Sequence, residues 1–103
     1  MKKKVLFCEL AHKEFENLPR ESKAKLRSLI KVLEEEGNLK KPFGKKLGRT
    51  CVFEIRVHIN GQWRGLYAYK SGNLIIILRI FQKKTQKTPE KEIKLALARS
   101  NQF

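Results

Sequence analysis

Aspartate is absent from this chain of 103 residues, so its ten acidic residues are all glutamate. Hard divalent cations need clustered carboxylates, and zinc needs grouped His and Cys ligands. The sequence offers Glu54 alone for such a role, with His12 and His58 far apart and two distant cysteines, Cys8 and Cys51. No metal and no other cofactor is expected. Each cysteine sits in a strand-like apolar run without further ligands, and both are read as reduced, buried thiols of a cytoplasmic protein. Long apolar runs are missing as well. Nothing approaches the roughly 18 to 20 residues of a membrane span, and Lys2-Lys3-Lys4 is followed only by Val5-Leu6-Phe7-Cys8. Neither a signal peptide nor a membrane anchor is expected. No serine or cysteine is paired with a histidine in a recognisable turn, which removes the usual hydrolase chemistries. The length leaves room for one compact domain over residues 1–103 and for no second core.

What the sequence has in abundance is positive charge. It carries 24 Lys and Arg against 10 Glu, a formal net charge of +14. The excess is lopsided. Residues 1–36 hold nine basic and seven acidic side chains, whereas residues 37–103 hold fifteen and three, leaving +12 on the C-terminal two thirds. Such a field fits a polyanion, and nucleic acid in particular, where counterion release drives binding.

Hydrophobic spacing divides the chain into elements. Residues 3–10 read as a first strand, and Ala11 to Leu18 as a short helix that stops before Pro19. Pro19 is read as the first residue of the next helix, Arg20 to Glu36, with Leu26, Leu29, Ile30 and Leu33 on one stripe and Gly37 as the stop. Leu39 to Arg49 has no apolar period and reads as a basic loop. From Cys51 the period becomes two, giving a strand through Ile59, a turn at Asn60-Gly61, a strand from Gln62 to Tyr69, a turn at Ser71-Gly72 and a strand from Leu74 to Phe81. Thr88-Pro89-Glu90 opens a last helix, with Thr88 as its cap and Ile93, Ala96 and Leu97 as its apolar stripe. The expected fold is α+β, in the order β-α-α-β-β-β-α, an antiparallel sheet packed by helices on one face.

Register decides where the arginines point. A two-residue Asn60-Gly61 turn would set Val57 opposite Arg64 and bury a guanidinium among apolar residues, which is too costly. A three-residue loop, Ile59-Asn60-Gly61, sets Arg56 opposite Arg64 and Phe53 opposite Tyr67. A two-residue Ser71-Gly72 loop then places Arg79 opposite Arg64. Three arginines in a row repel one another unless an anion lies between them. His58 and Phe81 share their face, Glu54 is available as a neutralising group or base, and Lys83-Lys84 follow the last strand. Tyr67 and Tyr69 fall on the apolar face. Charge of this kind suits phosphate chemistry on RNA, whose own 2′-hydroxyl is the nucleophile, with His58, Lys83 or Lys84 as candidates for proton transfer.

The stretches Phe53-Glu54-Ile55-Arg56-Val57, Trp63-Arg64-Gly65-Leu66-Tyr67 and Phe81-Gln82-Lys83-Lys84-Thr85-Gln86-Lys87-Thr88-Pro89, with Glu92 and Ala96 beyond them, resemble the phage-derived, HigB-like (Gp49-like) branch of the RelE/ParE toxin superfamily. The resemblance covers nearly the whole chain. It implies a RelE-like fold and a cytoplasmic toxin of a type II toxin–antitoxin pair, one that cleaves mRNA on the ribosome until a cognate antitoxin, bearing an acidic segment or of helix-turn-helix type, binds it. Carried over by position, the basic site falls on Arg56, Arg64, Lys83 and Lys84, with Phe81 as a packing or base-stacking residue. Arg79 stands where many relatives have a histidine, which leaves His58 or a lysine for that role. Lys45, Lys46, Arg49 and Lys87 are the further candidates for RNA contact. The same fold also admits ParE-like gyrase poisons, which lack this site.

Overall fold

The structure, a computed structural model, describes residues 2–103. The elements run β1 (Lys4–Phe7), α1 (Glu9–Glu16), α2 (Arg20–Glu36), β2 (Gly44–Lys46), β3 (Phe53–Val57), β4 (Trp63–Tyr69), β5 (Leu74–Gln82) and α3 (Glu90–Ser100). They form a five-stranded sheet in the order β1-β5-β4-β3-β2. The expected α+β class holds, and the sheet is mixed: β1 pairs parallel with β5, while every other pairing is antiparallel. The loop expected over Leu39 to Arg49 contributes β2, three residues too short to show a period of two. The exposed Lys45 and Lys46 on that edge strand discourage pairing with another chain.

Both faces of the sheet are covered, not one. Ile55 and Gly65 face α2, since a Cβ built on Gly65 would meet Ile55 and the Leu26 methyl at 3.8 Å. Glu54 precedes Ile55 and so points the other way, toward the start of α3, where the Thr88 hydroxyl reaches it. Coverage on both sides explains why Ile75, Ile76, Ile77 and Leu78 of β5 are all buried, as an uninterrupted apolar run requires. The stripe of α2 is buried as expected, and the helix ends at Gly37 (φ 80°), whose N–H donates to the Leu33 carbonyl. Tyr67 and Tyr69 pack with Phe53 on the α2 face, and burial holds the Tyr67 phenol well above its ordinary pKa. Cys8 is buried, but Cys51 is exposed because it lies in a bend ahead of β3 and not within the strand.

The β3–β4 register is the expected one, with Arg56 opposite Arg64 and Phe53 opposite Tyr67, and both Asn60 and Gly61 take positive φ. The β4–β5 register differs. The turn is one residue longer than expected, because the Lys70 N–H closes on the Leu74 carbonyl. A bulge beside Leu66 and Tyr67 then leaves Leu78 without a partner. Arg64 consequently faces Phe81, and Arg79 faces Leu66. Two one-residue shifts keep Arg79 on its face and move it two places away from the expected row.

In its new place Arg79 joins an ion network that ties three elements together. It bonds Glu92 of α3 through Nε at 2.8 Å and Glu14 of α1 through Nη1. Arg99 grips both oxygens of Glu14 at 3.0 Å and donates to the bulge carbonyl of Leu78 at 2.8 Å. Glu14 Oε1 also accepts the Ile80 N–H at 3.0 Å. Burial pushes the Glu14 carboxyl up, but the bonds from Arg99, Ile80 and Arg79 outweigh it and hold it below 4.5. A depressed carboxylate contributes stability that is complete above the unfolded value and lost as pH falls through the folded one. Glu14→Gln should therefore cost about 1–3 kcal/mol at pH 7. Urea titrations should show the gap from wild type closing as pH drops below 4.5; a gap independent of pH would exclude the ionised network.

Candidate functional site

The cationic face is organised around one buried carboxylate. Glu54 in β3 is 1% exposed, and three side chains surround its two oxygens. Arg56 Nε donates to Oε1 at 2.9 Å, Arg64 Nε lies 3.7 Å from the same oxygen, and the Thr88 hydroxyl donates to Oε2 at 2.6 Å. Alternation in β3 puts Glu54 and Arg56 on one face, and the pairing with β4 brings Arg64 across from Arg56. Glu54 thereby supplies the negative charge that two opposed arginines need.

Arg64 is nearly as buried, at 3% exposure. Its Nη1 donates to the Trp63 carbonyl at 3.0 Å, Nη2 makes a long 3.5 Å contact with Gln62 Oε1, and Nε has no hydrogen-bond partner among the described residues. Burial lowers its pKa, Glu54 opposes that, and Arg56 adds to it. Lys83, just past β5, is tied back to the sheet by its N–H donating to the Gln62 carbonyl at 2.7 Å. Its ammonium is held below the ordinary lysine value, first by burial and then by the charge of Arg64. Arg56 and Lys45 push the same way, against Glu54.

Arg56 and Lys83, but not Arg64, open onto a cavity of about 420 Å³ lined also by Lys45, Lys87, Thr88 and Ile93 among others, with Glu54 beneath. Lys84 lies next door, in a polar pocket of about 470 Å³ that shares Lys83. Of the residues expected here, Arg56, Arg64 and Lys83 come together, joined by Lys45 and Lys87. The others do not. Arg79 belongs to the network with Glu14 and Glu92. His58 is exposed beyond the end of β3, without a hydrogen bond to any described residue. Phe81 is 6% exposed, so its ring packs and is not offered for stacking on a base. Lys46 pairs with Phe53 and therefore faces away from Glu54, and Arg49 is an exposed turn residue. Thr88 is the residue that sequence reasoning misplaced: Pro89 takes the cap position, no side chain among the described residues caps α3, and the hydroxyl serves Glu54 instead.

The model of the phage-derived Gp49-like protein family matches residues 13–101. The chain belongs to this family. No curated protein matches it in sequence. Among solved structures, this Gp49-like chain is similar to an arginine-to-alanine double mutant of the E. coli toxin RelE in the free state. The two share 16% identity with a TM-score of 0.74, over 96% of this chain and 98% of that one. It is also similar to a chain of the RelBE2 toxin–antitoxin complex of Mycobacterium tuberculosis (24% identity, TM-score 0.63, 81% and 100% covered). A third likeness is to the archaeal RelE–RelB complex of Pyrococcus horikoshii (21%, 0.63, 80% and 96%). The Gp49-like chain thus has the RelE fold.

The burial of the Glu54–Arg64 pair reverses what a row of repelling arginines would imply. Removing Arg64 does not relieve strain; it strips a buried carboxylate of a neutralising charge. Arg64→Ala should destabilise the fold by about 3–5 kcal/mol, as breaking a buried ion pair does. Denaturation midpoints will decide this, and an unchanged midpoint would show that the pair contributes nothing.

Proposed function

We propose that this chain is the toxin of a type II toxin–antitoxin pair and acts as a metal-independent endoribonuclease on mRNA held by the ribosome. The observation that carries the proposal is the convergence of Lys45, Arg56 and Lys83 on one open cavity around a single buried carboxylate, with the buried Arg64 beside it. Family membership and a fold shared with RelE toxins support it. Two steps of RNA cleavage by its own 2′-hydroxyl, charge stabilisation and protonation of the leaving oxygen, have a group suited to them here, and the 2′-hydroxyl proton passes to water as the oxygen attacks. Arg56, oriented by Glu54, binds the scissile phosphate and stabilises the charge of the crowded phosphorus. Arg64, too buried to meet substrate fully, acts through the field it adds beneath. Lys83, its proton loosened by burial and by its cationic neighbours, donates to the departing 5′-oxygen. Glu54 is a positioning group, since its oxygens are engaged by Arg56 and Thr88.

A second reading is a non-catalytic toxin of the same fold, such as a gyrase inhibitor. The near-complete burial of Arg64 favours it, because a structural arginine needs no substrate. RNA 5′-end mapping after brief induction separates the two. Cleavage should leave a 5′-hydroxyl and a 2′,3′-cyclic or 3′-phosphate, survive chelation on intact ribosome complexes, and vanish in Arg56→Ala together with growth arrest. Products bearing a 5′-phosphate would sink the 2′-hydroxyl mechanism, and arrest without new RNA ends would favour the second reading.

The partner we propose is a cognate antitoxin with an acidic, amphipathic segment. The apolar stripe of α2 is buried under the sheet and is not open to a partner. Its outer side instead borders a groove of about 680 Å³, where exposed Val32 and Phe43 lie among Lys25, Lys40 and Lys41. Docking there would neutralise the toxin without covering Arg56. Antitoxin affinity should fall at least about tenfold in Phe43→Ala, as an apolar anchor removed costs about 1.4 kcal/mol or more. It should change little in Arg56→Ala, and the opposite pattern would place the antitoxin on the cation cluster.

A further inference from the structure

The polar pocket beside Lys83 has no part in the scheme above, yet the same lysine forms a wall of both cavities. Its lining is Gln62, Lys83, Lys84, Thr85 and Gln86, without an apolar residue. The frame is held on two sides. The Lys83 N–H donates to the Gln62 carbonyl at 2.7 Å, and the Thr85 hydroxyl donates to the Lys87 carbonyl at 2.6 Å, which folds residues 83–87 into a fixed turn. Beyond that turn, the Thr88 bond to Glu54 ties the segment down again. Lys84, Thr85 and Gln86 are thus carried on a strap fastened to the sheet at both ends.

Two carboxamides in one pocket are a different chemistry from the arginines next door. A phosphate offers only acceptors, and the cations satisfy it. A carboxamide presents a donor and an acceptor at fixed spacing, which matches the edge of a nucleobase. Gln62 is steadied through its oxygen by the long Arg64 contact, and among the described residues no hydrogen bond engages its Nε2 or any atom of the Gln86 amide. Both glutamines are exposed. Single-stranded RNA is read by splaying a base out and bonding its edge, and among the described residues no aromatic ring lines this pocket, Phe81 being buried. Recognition then rests on hydrogen bonds, which discriminate between bases, and not on stacking, which does not.

We propose that Gln62 and Gln86 form a nucleobase subsite that reads the RNA base adjoining the phosphate held at Arg56 and Lys83. The assignment rests on the ribonuclease reading for its substrate class, but its test is independent of cleavage. The probes are the four 2′-fluoro homotrinucleotides, which lack the internal nucleophile, and the measurement is binding to the full chain by fluorescence anisotropy. One base should be preferred by roughly 5- to 150-fold, the range a bidentate base contact gives. In Gln62→Ala and Gln86→Ala that preference should collapse, while the average affinity over the four probes changes little, because the lysines and Arg56 remain. Equal binding of all four probes by the wild-type chain would overturn the subsite, as would a preference that survives both substitutions. A uniform weakening of all four in the variants would also overturn it, since the glutamines would then act only through the cation cluster. The absence of RNA cleavage in cells, by contrast, would overturn the ribonuclease reading and leave this binding result standing on its own.

Discussion

Everything on the cationic face depends on the Glu54 carboxylate being buried where it is. Two arginines directly opposed on neighbouring strands repel each other, and a sheet that carries them needs an anion within reach. Glu54 sits one position along the same face and supplies that charge to Arg56 and Arg64. The cost of burying it is offset by three polar neighbours, one of which, Thr88, comes from the far end of the chain. A single anion therefore allows the cations to gather and leaves them in excess, which is the condition for attracting a phosphate.

The second ion network divides labour with the first. Glu14, Arg79, Glu92 and Arg99 connect α1, β5 and α3 with their charges balanced, two against two. It holds the last helix against the sheet, and the start of that helix carries Thr88 to Glu54. One network is neutral and fastens the scaffold; the other is unbalanced, buried at Glu54 and Arg64, and open to the cavity at Arg56 and Lys83. The same face of the sheet carries both, with Leu66 and Phe81 near the boundary.

Much of this was legible in the sequence. The α2 boundaries, the alternation of β3 and the desolvation cost of a guanidinium were sufficient to place Arg56 opposite Arg64, because each is a local pattern or a strong penalty. Arg79 was misplaced since neither a turn one residue longer nor a bulge at Leu78 leaves a mark in the pattern of an uninterrupted apolar strand. Strand β2 was invisible because three residues with two lysines look like any basic loop. Thr88 read as a helix cap, a role its residue type supports, and only the fold shows that a buried carboxylate lies closer. The covering of both sheet faces was in principle announced by Ile75 to Leu78, a run that alternates with nothing.

The paired irregularities between β4 and β5 act as a parity constraint on register. The longer turn and the bulge each displace the register by one residue, and together they return β5 to its original face. At fixed chain length, regularising either alone would turn Arg79 and Phe81 toward α2 and bring isoleucines to the cation cluster. Regularising both would preserve the faces. At constant chain length the two irregularities are therefore kept or lost together, whereas a single residue removed along with its own irregularity, Leu78 at the bulge or one residue of the turn, leaves every side chain on its face and the surface readable.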